Sequence, residues 1–280
     1  MKNALSIDLE DWYYPELLRK HLDTNDIQVR IEESTRPILK LLDKYHAHAT
    51  FFILGEVARK NPEFVRNIYD SGHEIGSHGM SHKPLWELDR ASFSEELDDF
   101  KEIIKISIKD DIKIKGYRAP SFSLDNSTKW ALEVLKEKGY LYDSSIFPAR
   151  NKLYGLNGAP LEIYKPSVVN LKSNDPESNF LEFPLTVYDL FGFRVPVAGG
   201  FYFRVMPFFL FSNFLKRINR SRPFIFYLHP WESCKLTPRV KSISKIDYFI
   251  TYWGISGVLK KLEALLKKFK FCPIHEVLGL

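Results

Sequence analysis

Over residues 1–145 short apolar runs alternate with helical patterns, and most of the runs are followed at once by residues that carry chemistry. Residues 4–9 lead into Asp8, Glu10 and Asp11. Residues 48–54 are stopped by Gly55. An apolar/polar alternation opens the stretch Gly72-His73-Glu74-Ile75-Gly76-Ser77-His78-Gly79-Met80-Ser81-His82. Residues 113–117 deliver Arg118-Ala119-Pro120, and residues 140–142 deliver Asp143-Ser144-Ser145. Between them lie helical patterns at 34–45, from Asn61-Pro62 to Gly72, at 92–106 with Phe93, Leu97, Phe100 and Ile104 on one stripe, and at 127–138 up to Gly139. A strand–helix–strand–helix order requires crossover connections. It therefore predicts a parallel sheet or barrel whose sites gather at the C-terminal strand ends.

The second half is less regular. Residues 146–180 are rich in Asn, Pro and Ser and read as a loop-rich insertion beside the site. A strand is expected at 181–187, a tight aromatic turn at 198–204, and a helix at 207–220. That helix suits either a membrane surface or the outside of a barrel, and core packing is the better fit. Residues 224–228 form the most strand-like run and end in His229-Pro230-Trp231-Glu232. An amphipathic helix at 257–269 and a last strand at 271–274 complete the chain. Neither a repeat nor a linker divides it, so residues 1–280 are expected to form one domain.

Composition excludes several classes. Forty basic against 35 acidic side chains give +5, and they are spread rather than clustered, which argues against nucleic acid as partner. Two cysteines, Cys234 and Cys272, cannot build a disulfide framework. The opening residues carry no signal-peptide pattern, and there is no apolar run of transmembrane length. The expectation is a cytoplasmic protein, at most touching the inner face of the membrane.

Two histidines four apart, His78 and His82, share a face if that stretch turns into a helix, and could reach one cation. His46 and His48 flank a strand start and read as structural. Asp8, Glu10 and Asp11 repel one another unless a cation or an arginine sits nearby. Trp12, Tyr202 and Trp231 offer flat apolar faces of the kind that stack on sugar rings.

The 72–78 stretch with His82, preceded by Ala49-Thr50-Phe51-Phe52, resembles the NodB-homology polysaccharide deacetylases, carbohydrate esterase family 4. Arg118-Ala119-Pro120 is similar to that family's Arg-x-Pro motif, and Leu228-His229-Pro230 to its late Leu-His motif. The opening Ser6-Ile7-Asp8-Leu9-Glu10-Asp11-Trp12, the turn Gly199-Gly200-Phe201-Tyr202-Phe203-Arg204 and His229-Pro230-Trp231-Glu232 resemble its exopolysaccharide- and exosortase-associated subgroup. The resemblance implies an α/β fold, a distorted (β/α) barrel of about seven strands. It implies one divalent metal, zinc first, with cobalt, manganese or nickel as alternatives. The implied reaction is hydrolysis of an N-acetyl group on an amino-sugar glycan or its lipid- or nucleotide-linked precursor.

Carried over by position, His78 and His82 are metal ligands, Asp8 the general base, Arg118 the residue that holds that base, and His229 the general acid. The family's opening has adjacent aspartates, whereas Asp8 here is followed by Leu9, Glu10 and Asp11. Strand pleating favours Glu10 as third ligand, and a turn beginning at Leu9 favours Asp11. Either Asp143 or Glu232 is expected beside His229. Two other outcomes stay open: hydrolysis of another amide such as an N-formyl sugar, and a non-catalytic carbohydrate-binding protein on the same fold.

Overall fold

Eight parallel strands form one curled sheet in the structure, a computed structural model that describes residues 1–22, 27–150 and 154–280. They are β1 (Lys2–Leu9), β2 (Thr50–Ile53), β3 (Glu74–Ser77), β4 (Gly116–Tyr117), β5 (Tyr142–Asp143), β6 (Leu181–Glu182), β9 (Ile225–Leu228) and β10 (Lys270–Cys272). Between β6 and β9 an antiparallel hairpin, β7 (Val187–Leu190) with β8 (Phe193–Pro196), stands outside the sheet. The path β9-β1-β2-β3-β4-β5-β6 supplies the seven strands expected, and β10 adds an eighth at the start of β1. The ladder stops at β6. The seam towards β9 is bridged by a side chain: Thr186 Oγ1 donates to the Ile225 carbonyl and accepts from the Ile225 amide, both at 2.8 Å.

Strand β1 is buried along seven of its eight residues because strands and helices cover it on all sides. Its pleat sorts the core. Leu5, Ile7 and Leu9 face outward with Phe51, Ile53, Phe226 and Leu228 into the layer under the helices. Ala4 faces inward with Phe52, Tyr142, Phe183, Ile225 and Tyr227, which fill the barrel. The inward positions of β1 that remain, Ser6 and Asp8, lead towards its C-terminal end and are polar. The lumen thus changes from apolar to charged along one strand. Space inside is tight: a Cβ on Gly116 would lie 2.1 Å from Tyr142 Cζ, so the hydrogen side chain lets β4 and β5 pair with the tyrosine ring tucked beneath.

Several elements depart from the sequence-based expectation. The helix expected from Ser34 begins earlier, as Ile31–Lys44. Its N-terminal amides are met by Asp11, whose Oδ2 accepts from Arg30 N at 2.6 Å, so Ser34 is not the cap and instead donates to the Ile31 carbonyl. The stretch at 78–82 is not helical. Gly79 and His82 take left-handed backbone angles (φ 77° and 62°), giving a loop. Residues 198–204 are not a tight turn but lead into the helix Gly200–Val205. The expected strand at 181–187 is split between β6 and β7, and β10 ends at Cys272. The helix Phe208–Ile218 buries Phe211, Leu215 and Ile218 against the barrel, as core packing requires, and leaves Phe209 exposed. Residues 154–180 are largely irregular, and residues 151–153 of the expected insertion lie outside the described residues. Both cysteines are free, and among the described residues no helix is long and apolar enough to cross a membrane.

Gly116→Ala should cost about 1–3 kcal/mol or more of unfolding free energy, as overpacking a tight core does. Urea denaturation reads this directly. An unchanged midpoint would mean that the Tyr142 ring moves aside freely.

Candidate active site

The polar end of the barrel is built from strand ends. Strand β1 carries Asp8, and the chain then turns at Leu9, with Glu10 N donating to the Asp8 carbonyl at 2.9 Å. This i→i+2 turn, not continued pleating, delivers Glu10. It is the circumstance expected to favour Asp11, yet Glu10 is the residue that reaches the histidines. The Asp11 carboxylate is taken up by the backbone amides of Trp12 and Arg30.

Strand β3 delivers His78, and the loop after it returns His82. That loop is fastened at three points: Gly55 N donates to Gly79 O, Glu56 N to Met80 O, and Glu96 accepts from both Met80 N and Ser81 Oγ. Glu96 projects from the helix Arg90–Ile108, and sequence reasoning gave it no role. Glu10 Oε2 lies 2.6 Å from His82 Nε2 and 3.8 Å from His78 Nε2, with all three residues buried. Their ligand atoms lie within 4.8 Å of one another, the one such three-residue cluster among the described residues.

The donor set suits a cation. His78 Nδ1 is 2.8 Å from the Arg118 carbonyl, which can only accept, so Nδ1 carries the proton and Nε2 presents its lone pair to Glu10. This is the backbone-fixed tautomer found in metal-binding imidazoles. Asp8 Oδ2 is buried and has no hydrogen-bond partner among the described residues, an expensive state for a carboxylate oxygen. Burial alone would raise the Glu10 carboxyl, but His82 and His229 beside it outweigh that and hold it well below the usual range.

Asp8 is held from behind. Arg118, fully buried, donates from Nη1 to Asp8 Oδ1 at 2.6 Å and to Ser6 Oγ at 2.8 Å. Its Nε and Nη2 bond the Ser144 carbonyl and hydroxyl. Its guanidinium lies 4.3 Å from the Phe52 ring centroid. The other oxygen, Asp8 Oδ2, faces His229 Nε2 at 3.7 Å, and Glu10 Oε1 lies 3.4 Å from the same nitrogen.

His229 follows β9 and stacks on Trp231 with an interplanar angle of 18°. Its Nδ1 meets Glu232 Oε2 at 2.9 Å, so Glu232 is the neighbouring carboxylate and Asp143 is not. Asp143 is buried on the Ser145 amide and hydroxyl and pairs with Glu182, burial pushing both carboxyls up. Burial lowers the His229 imidazolium, but Glu10, Glu232 and Asp8 together raise it to about 9. Glu232 is fixed in turn by Arg204, whose Nη2 lies 3.0 Å from Oε1. Burial is overcome there by Arg204 and His229, which bring the carboxyl down to about 2. A Cβ at Gly200 would lie 1.9 Å from Glu232 Oε2, which explains a glycine at that position. Arg204 closes the 199–204 motif, and nothing in the sequence alone gives it this role.

These residues floor a cleft of about 820 Å³. Tyr202 and Trp231 line it. Trp12 does not; it packs with Leu18 and Trp231 and donates to the Gln28 carbonyl. His46 is exposed at a helix end, and His48 lies beside Gly72, both away from the cleft.

The polysaccharide deacetylase family matches residues 22–142, and a domain of unknown function (DUF3473) matches residues 144–279. The two matches meet at Asp143, the last residue of β5, and both contribute strands to the sheet and residues to the cleft. The peptidoglycan-N-acetylglucosamine deacetylase of Bacillus cereus is 35% identical over 108 residues, 36% of this chain and 36% of that protein. The chain spans about a third of the length of the curated relatives it matches. In fold it is similar to a Mycobacterium smegmatis protein assigned to the polysaccharide deacetylases (TM-score 0.62, 16% identity, covering 99% of this chain and 90% of that one). It is also similar to Puue allantoinase (TM-score 0.60, 15% identity, 98% and 87%). Residues 22–142, which include the histidine pair, thus match the polysaccharide deacetylase family model, and the fold of the whole chain is similar to that of a protein assigned to it.

Proposed function

We propose that the protein is a metal-dependent hydrolase that removes N-acetyl groups from an amino-sugar glycan or its lipid- or nucleotide-linked precursor. The observation that carries this reading is the opposition, across a few ångströms of one cleft, of Asp8 Oδ2 and His229 Nε2, beside the buried Glu10–His78–His82 cluster. We read Glu10, His78 and His82 as the ligands and Asp11 as the helix cap. The subgroup reading, exopolysaccharide- and exosortase-associated, is supported by the way its motif residues meet: Gly200 and Arg204 seat Glu232, and Glu232 holds His229.

A divalent cation in the Glu10–His78–His82 cluster, zinc first with cobalt, manganese or nickel as alternatives, would supply a Lewis acid for the acetyl carbonyl and acidify water toward pKa ~7. The chain's own residues do the proton work. Asp8 Oδ2 takes a proton from the attacking water, while Arg118 occupies Oδ1 and keeps the carboxylate aimed. As the C–N bond breaks, His229 gives its Nε2 proton to the sugar nitrogen, which otherwise leaves poorly. Glu232 fixes the ring through Nδ1 and favours its charged form. One water adds across one amide, giving acetate and the free amine. Tyr202 and Trp231 offer faces for the sugar ring.

Metal-loaded protein incubated with N-acetylated oligosaccharides should release acetate. Stoichiometric metal with no acetate from any such sugar would sink the proposal. For the ligands, Glu10→Ala, His78→Ala and His82→Ala should each abolish stoichiometric metal binding. Asp11→Ala should keep the metal and lose about 0.5–2 kcal/mol of stability as a lost helix cap. Calorimetric titration and denaturation together give the order, and the reverse order hands the ligand role to Asp11.

Asp8→Asn should retain metal and lower kcat by about 10²-fold or more, as removal of a general base does. A metal-free or unfolded variant would make Asp8 structural.

The pH profile follows from His229. An acid raised to about 9 stays charged through neutral pH, so kcat should fall as pH rises through that value. Glu232→Gln removes one of the charges that raise it and should move the alkaline limb to lower pH. His229→Ala should remove that limb and most of kcat while keeping the metal. An alkaline limb unmoved in both variants would assign it to another group.

A further inference from the structure

One wall of the cleft is formed by the helix Lys245–Tyr252, whose Asp247, Ile250 and Thr251 line the cavity, with Ile246 at its rim. Its outer face is left exposed among the described residues. Ile246 is 72% exposed, Phe249 42% and Trp253, just past the helix, 57%; they recur at i, i+3 and i+7 and so form one stripe. Phe249 and Trp253 pack together with ring centroids 5.2 Å apart, a pre-assembled apolar pair rather than scattered side chains. Leu236, on the segment leading into the helix, is 58% exposed.

The charges of the segment that forms this lip are mostly of one sign. Residues 235–253 contain Lys235, Arg239, Lys241 and Lys245, all exposed, against the single acid Asp247. Asp247 is already engaged by the Ser244 hydroxyl at 2.7 Å as part of the helix start. An aromatic stripe rimmed by cations is the pattern of segments that lie in the interface of an anionic bilayer. A second copy of the chain is a poor occupant, because a two-fold interface would set these four cations against themselves. The lip is also firmly held. Arg204 donates to the Ile250 and Trp253 carbonyls at 2.8 and 2.6 Å with the same guanidinium that binds Glu232. A surface engaging the lip therefore lies at a fixed offset from His229.

We propose that this lip docks on an anionic lipid surface, and that the substrate is a glycan presented from that surface by a lipid anchor. The second clause rests on the deacetylase reading above; the docking itself does not.

The test uses the full chain with vesicles of phosphatidylcholine alone or mixed with phosphatidylglycerol, scored by co-sedimentation. Binding should require the anionic lipid and weaken with salt. Phe249→Ser with Trp253→Ser should reduce it about tenfold or more, since two aromatic side chains lose their burial. Lys241→Gln and Lys245→Gln should each reduce it roughly fivefold. Ile106→Ser, an exposed apolar residue on an outer helix, should leave it unchanged. In the metal-loaded enzyme, acetate release from a chitooligosaccharide coupled to a phospholipid in anionic vesicles should exceed release from the soluble oligosaccharide. The Phe249/Trp253 variant should lose that preference while keeping its rate on the soluble form. Equal or absent binding to both vesicle types overturns the proposal. So does a wild-type dimer, seen by light scattering, that the same substitutions dissociate. Docking without acetate from either sugar would uphold the lip and remove the deacetylase reading instead.

Discussion

The Arg118 guanidinium is the interaction on which the site depends. It is wholly buried, and four of the bonds it makes run to β1 and to the segment after β5, while its own carbonyl fixes His78 beyond β3. A buried cation is tolerable only when paired and hydrogen-bonded, and removing one partner of such a pair leaves the other charge stranded at a cost of several kcal/mol. Arg118 and Asp8 are therefore mutually obligatory. The aromatic rings of Phe52, Phe122 and Tyr227 around the guanidinium allow the apolar lumen to continue up to the charged end of the barrel.

A second buried pair, Arg204 with Glu232, stands on the other side of Glu10 and performs the opposite task. Arg118 leaves one oxygen of Asp8 free to accept a proton. Arg204 holds Glu232 as an anion, and Glu232 fixes the His229 ring through Nδ1. In the reading proposed above, the two arginine–carboxylate pairs hold groups with opposite roles, which gives the cleft a direction. The cluster of Glu10, His78 and His82 touches both, through Glu10 beside His229 and His78 on the Arg118 carbonyl.

Much of this was legible in the sequence, for identifiable reasons. The strand–helix alternation specifies a parallel sheet, and residues after strand ends converge in such sheets whatever the loops do. Asp8, His78, Arg118 and His229 could therefore be placed together before any coordinates. Local geometry was harder to read. His78 and His82 at i, i+4 suggest a helix, but Gly79 breaks it, and the pair is brought together by a loop fastened to Glu96, far away in sequence. The cap at Ile31 comes from Asp11, 19 residues before Arg30, so a search for a nearby Ser or Thr settles on Ser34. Glu10 was favoured on strand pleating and reached its place by a turn. Arg204 has no local signature, since its partners are Glu232 and the carbonyls of Ile250 and Trp253. The hairpin β7–β8 and the helix Lys245–Tyr252 pack on segments with which they share no periodicity.

The position of β1 has a consequence for how the chain reaches this state during synthesis. Its Ala4–Ile7 edge pairs with Ile225–Leu228, and buried Asn3 is satisfied by Asn219 and Phe224. At 5–20 residues per second, a ribosome needs on the order of ten to forty seconds to deliver the partner strand. Throughout that interval β1, the strand that pairs with three others in the finished sheet, presents an open apolar edge, of the kind that recruits foreign strands. A nascent chain of this topology is long-lived in its unfinished form, which makes chaperone occupancy of the emerging N-terminal half a property of the strand order rather than of any weakness in the finished core.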